Sequence, residues 1–127
     1  MHRLAVVCIL MGCGGRSPID TGESLDGSFT TVRDDVLLLS CAFNSCHGAG
    51  AGGLTLDEQG AYDALVGVDA SNGQALVVPG DPNGSYLIQK MEGSSDIEGD
   101  VMPPSGSLDD AKIGQVRTWI EDGAHDD

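Results

Sequence analysis

A chain of 127 residues has room for one domain and little more. Its 20 acidic and 6 basic side chains give a formal charge of -14, which argues against charge-driven binding to nucleic acid or to an anionic membrane face. Aromatics are 4% of residues and there are 19 glycines, so the core is thin and would gain from a bound apolar group. The acidity either serves solubility alone or steers a partner protein with a basic docking patch toward the domain.

Residues 1–12 read as an export signal. Met1, His2 and Arg3 give a short positive start, and Leu4 to Met11 is an unbroken apolar run. That run falls well below the roughly 20 residues that span a bilayer. Leu10-Met11-Gly12-Cys13 follows and resembles a bacterial lipobox, in which the cysteine is acylated and becomes the new N-terminus. An ordinary signal cleaved near Gly12 is the alternative. Either reading sends the protein to the periplasm or cell envelope, and lipidation at Cys13 would anchor it to a membrane. Residues 13–27 carry Gly14, Gly15, Ser17, Pro18, Gly22 and Gly27 with no periodic apolar face, and read as a flexible tether. The folded domain then spans residues 28–124, with a short tail at 125–127.

Four helices are expected in that domain. The first runs from Thr31 to Asn44, capped by Ser28 or Thr30, with Val32, Val36, Leu39 and Phe43 at helical spacing. After it comes Gly48-Ala49-Gly50-Ala51-Gly52-Gly53, either a plain loop or backbone that passes close to a flat ligand. Thr55 and Glu58 form a capping-box pair for the second helix, which Gly67 ends. Asp81-Pro82 opens the third, with Leu87, Ile88 and Met91 as its apolar residues and Gly93 as its end. Ser107 and Asp110 cap the fourth. Its stripe is Ile113, Val116 and Ile120 with Trp119 beside it, and Gly123 closes it. No strand signal or internal repeat stands out, so the fold class is all-α, small, with Gly/Pro-rich loops.

The residues that carry chemistry sit at the end of the first helix. Within Cys41-Ala42-Phe43-Asn44-Ser45-Cys46-His47, two thiols precede an imidazole. Covalent haem needs two thiols for its vinyl groups and a histidine directly after the second to reach the iron. The usual motif has two residues between the cysteines; here there are four. The same segment fits a Cys41-Cys46 disulfide, common in exported proteins. A zinc site with His47 would lack a fourth ligand, because His125 lies near the charged end of the chain. A second feature is Val101-Met102-Pro103-Pro104, between the third and fourth helices. A thioether suits the sixth position of haem iron, and Pro103 holds Met102 out of helical geometry. A methionine filling a gap in the core is the alternative.

The pieces Cys46-His47-Gly48, Gly52-Gly53-Leu54-Thr55-Leu56, Val78-Pro79-Gly80-Asp81-Pro82 with Ser85-Tyr86-Leu87, Met102-Pro103-Pro104 and Trp119 to Ala124 occur in one order. In that order the chain resembles the planctomycete-type cytochrome c domain, over residues 36 to 124. The four residues between Cys41 and Cys46 depart from the family pattern and bear on the thioether at Cys41.

The resemblance implies a cytochrome c-like helical fold around one covalent haem c. Cys41 and Cys46 would be the attachment points, and His47 and Met102 the iron ligands. The first and last helices would pack together, and His47 would donate its second ring hydrogen to a backbone carbonyl near Pro79. Tyr62, Tyr86 and Trp119 are core residues in this reading, Met91 faces the core, and no residue is catalytic. The function implied is one-electron transfer outside the cytoplasm with a redox partner protein. A haem-free interaction domain stapled by Cys41-Cys46 is the alternative. A peroxidase-like enzyme is a third, if Met102 is labile.

Overall fold

Ser28 starts the first helix by accepting a hydrogen bond from the Thr31 N–H at its side-chain Oγ. The computed structural model describes residues 27–127. The signal expected at 1–12, the lipobox expected at Cys13 and the expected tether up to residue 26 therefore lie outside the described residues. The first helix, α1, is a run over residues 29–40 with three parts: Phe29–Thr31 is α-helical, Val32–Leu37 is π-helical, and Leu38–Ser40 is α-helical again. The wider π turn changes which side chains face inward. Phe29, Val32, Val36 and Leu37 are buried, whereas Leu39 and Phe43, expected on the same stripe, are 62% and 56% exposed. Helix α1 also stops at Ser40, not Asn44, so the cysteine segment is a loop.

The other helices are α2 (Ala61–Leu65), α3 (Tyr86–Glu92) and α4 (Asp110–Glu121). Short 3-10 turns lie at His47–Ala49 and Ala51–Gly53. Each of these three helices starts a few residues later than the capping signals indicate. Asp57 Oδ1 accepts from the Gln59 N–H, forming a turn ahead of α2 in place of the Thr55/Glu58 box. Asp81 Oδ1 likewise accepts from the Gly84 N–H, so Asp81-Pro82 makes the turn before α3. Asp109, not Ser107, caps α4 by accepting from the Lys112 N–H. The short acidic side chains win because their oxygens close a turn two or three residues on. Gly67, Gly93 and Gly123 follow their helices with positive φ, as expected.

Helices α1 and α4 touch, and α3 packs on α4. Their shared core joins Val32, Val36, Leu37, Ile88, Met91, Val116, Trp119 and Ile120. Phe29, Tyr62 and Trp119 form a ring cluster with centroids 5.1 to 6.4 Å apart. Such aromatic pairs each contribute about 0.5–1.5 kcal/mol beyond their buried area. The stretch between α2 and α3 folds back through two isolated bridges, Val66 with Val77 and Asp69 with Ala75. No strand forms among the described residues, and none of their helices is long and apolar enough to cross a membrane.

The chain end, expected as a tail, is tied down. Trp119 Nε1 donates to the His125 carbonyl and the Tyr62 hydroxyl donates to the Ala124 carbonyl. Thr30 N–H and Oγ1 both donate to the Asp127 carbonyl, and the Phe29 N–H donates to Asp127 Oδ1. The end of the chain thus satisfies open N–H groups at the start of α1. The His125 side chain itself is exposed.

Candidate functional site

Because α1 ends at Ser40, residues 41–47 turn on their own backbone bonds. The Cys46 N–H donates to the Phe43 carbonyl at 2.8 Å, the His47 N–H to Cys41 at 3.2 Å and the Gly48 N–H to Phe43 at 3.0 Å. The four intervening residues are absorbed in this knot, which brings both cysteines and the histidine to one end of α1. The knot is tight at Gly48, where a Cβ would collide with the Ala42 carbonyl oxygen. Cys41 and Cys46 are half-buried free thiols, which leaves a Cys41-Cys46 staple without support. Burial, followed by the neighbouring Cys46, pushes the Cys41 thiol up to about 11.

His47 is also half-buried, and its Nδ1 lies 3.2 Å from the Leu54 carbonyl oxygen. A carbonyl can only accept, so Nδ1 carries the hydrogen, and in the neutral ring Nε2 is then the nitrogen with the lone pair. The acceptor is therefore Leu54, not a carbonyl near Pro79. The two 3-10 turns fold the chain back on itself, and the Leu56 N–H closes the loop on the His47 carbonyl at 2.9 Å. Gly52 lies beside His47 at φ 67°, a left-handed conformation that favours glycine, and a Cβ there would meet Cε1 at an ordinary contact distance of 3.8 Å. The glycine-rich stretch is thus an ordered loop around the imidazole.

Met102 arrives from the other side of the site, on the segment between α3 and α4. Its N–H donates to the Lys90 carbonyl at 2.8 Å. Lys90 Nζ donates to the Glu98 and Asp100 carbonyls, both at 2.6 Å, and the Glu98 N–H donates to the Tyr86 hydroxyl at 2.9 Å. Met91 is buried in the core, as expected, and also reaches the site from α3.

These segments enclose a cavity of ≈ 730 Å³ that Cys41, His47 and Met102 all border. A smaller one of ≈ 160 Å³ adjoins it, lined by Cys41, Cys46, His47, Met102, Pro103 and Pro104. The larger volume lies within the range of about 300–1,000 Å³ usual for small-molecule and cofactor pockets. Leu54, Leu56, Leu76, Leu87 and Met91 give it apolar walls. Two free thiols, a histidine with a free Nε2 lone pair and a thioether border an apolar cavity, a donor set that fits haem. Among the described residues no three His, Cys, Asp or Glu side chains gather as a metal cluster.

All four residues singled out from the sequence, Cys41, Cys46, His47 and Met102, therefore meet at one place. Leu54 was missed because a carbonyl acceptor leaves no side-chain signature. Lys90 was missed although it has a signal: it is the lone cation ahead of Glu92, Asp96, Glu98 and Asp100.

The family model for planctomycete cytochrome C matches residues 44–106 of the chain. That segment holds Cys46, His47 and Met102, while Cys41 and α4 fall outside it. No curated protein and no solved structure matches the chain.

Proposed function

Because the chain carries a planctomycete-type cytochrome c domain, and such a domain binds haem for electron transfer, we propose that this protein is a monohaem c-type electron carrier working outside the cytoplasm. One observation carries the proposal: the free thiols of Cys41 and Cys46, the His47 imidazole and the Met102 thioether all line the smaller cavity, and Cys41, His47 and Met102 also border the larger one beside it. Cys41 and Cys46 would hold haem through thioether bonds, and His47 and Met102 would be its axial ligands. When bound, haem supplies a one-electron ferric/ferrous couple.

The chain's own residues do the rest. The Leu54 carbonyl fixes the imidazole tautomer and orients the ring. Leu54, Leu56, Leu76 and Leu87 would give the group apolar contact on part of the wall. Met102 brings a neutral, soft ligand that favours the reduced metal. If His47 and Met102 both bound the iron, the chain would leave no ligand position for a substrate, which favours a carrier over a peroxidase. The export signal and Cys13 lipobox support a cell-envelope lipoprotein on a membrane anchor, with the domain's acidity guiding a redox partner that has a basic patch.

Met102→Ala tests the axial assignment. The wild type is expected to show the weak near-infrared band of sulfur-ligated ferric haem. The variant loses it, has a lower potential and binds added imidazole. A wild type that is high-spin and binds peroxide without mutation would move the enzyme reading ahead.

A further inference from the structure

The segment that carries Met102 has little apolar anchorage of its own. Asp96, Glu98, Gly99 and Asp100 are exposed, and Val101 and Met102 are only half-buried. Gly99 adopts φ 72°, and the residues ahead of Met102 form bends without a regular element. A segment so built stays in one conformation only if its polar backbone groups are tied to something rigid.

The ties all come from α3, and most of them from one residue. Lys90 Nζ donates to two carbonyls of the segment, Glu98 and Asp100, at 2.6 Å each. The Lys90 carbonyl accepts the Met102 N–H at 2.8 Å. One turn earlier on α3, the buried Tyr86 ring sends its hydroxyl to the Glu98 N–H at 2.9 Å. Bonds from an ammonium are roughly twice as strong as those between neutral groups. Among the described residues Lys90 forms no ion pair with a carboxylate, despite the acidic residues that follow it, and its charge is spent on backbone oxygens.

We propose that Lys90 is a positioning residue for Met102: its ammonium clamps residues 98–100 onto α3, which holds the methionine at the cavity that it shares with His47. The inference rests on the reading of Met102 as an iron ligand and extends it to the residue that makes that ligation durable. The unbranched stem of Met replaces Lys in a helix at little cost to propensity, so Lys90→Met removes the clamp and leaves α3 intact. Arg117→Met serves as the comparison. It removes the ion pair between Arg117 on α4 and Glu92, two residues beyond Lys90 on α3, together with the Arg117 bond to Asn83 Oδ1, and Arg117 neither bonds the segment nor lines the cavity.

Two readings are taken on each full-length variant. One is amide exchange at Glu98 and Met102 in the exported protein as purified. The other is the near-infrared sulfur–iron band of the haem-loaded protein. Lys90→Met is expected to speed exchange at both amides by roughly tenfold or more, as loss of charge-assisted bonds requires. It also weakens or abolishes the band, while Arg117→Met leaves both readings at wild-type values. Unchanged exchange and a full band in Lys90→Met overturn the proposal, as does an equal loss in Arg117→Met. A wild type without the band overturns the ligand reading itself, and the exchange rates then decide by themselves whether Lys90 clamps the segment.

Discussion

His47 takes its orientation from a backbone oxygen, and that places a constraint on the residues around it. The loop that brings the Leu54 carbonyl to Nδ1 turns through Gly48, packed against the Ala42 backbone, and Gly52, at positive φ. Gly48 is the stricter of the two, since any Cβ there meets the Ala42 carbonyl. Backbone cannot retreat as a flexible side chain can. Gly48→Ala is therefore expected to cost about 1–3 kcal/mol in urea unfolding, the usual penalty of overpacking. It should also reduce the fraction of chains that retain haem, because the displaced loop carries both cysteines. Unchanged stability and haem content in that variant would contradict the tight-knot description. At this scale the sequence was informative where chemistry lies in side chains. Cys41, Cys46, His47 and Met102 could be singled out because thiol, imidazole and thioether are rare and soft donors. Leu54 contributes only a carbonyl, which every residue has, so no pattern could mark it.

The helices were legible in number and approximate place, and less so in their edges. Periodicity found α1, but it assumed α-helical turns. The π turn at Val32–Leu37 moves Leu37 inward and leaves Leu39 out, and no residue type in that stretch announces it. Capping signals were displaced because Asp57, Asp81 and Asp109 compete as local acceptors. Ser85 shows how such edges are fixed. Its fully buried hydroxyl donates to the Asp81 carbonyl at 2.8 Å and accepts from the Val78 N–H at 2.9 Å. One side chain thus joins the turn before α3 to the strand-like stretch that precedes it. Ser85→Ala leaves two backbone groups without this partner and is expected to cost about 1–3 kcal/mol. Thermal or urea unfolding checks this, and a cost near zero would show that water replaces the hydroxyl.

For the molecule as a whole, the thin core and the cavity belong to one design. Leucines and methionines that would otherwise fill the interior line a space of ≈ 730 Å³ instead. The two ends of the described chain meet, with Asp127 bonded to Phe29 and Thr30, and this ties the start of α1 to the segment after α4, while residues between 41 and 102 line the space itself. Such long-range closure was not readable from the sequence, where residues 125–127 look like a charged tail. The order of short motifs was readable, and it pointed to the family that the match at residues 44–106 supports. Cys41 lies before that match, after a helix whose π turn and early stop set where the thiol emerges. The measurement that tests the central claim most directly is the intact mass of the exported protein under denaturing conditions, from a host with haem-attachment machinery. The account predicts the chain plus one haem, with peptide mapping placing it on Cys46 and Cys41. A colourless chain with a Cys41-Cys46 disulfide would contradict it.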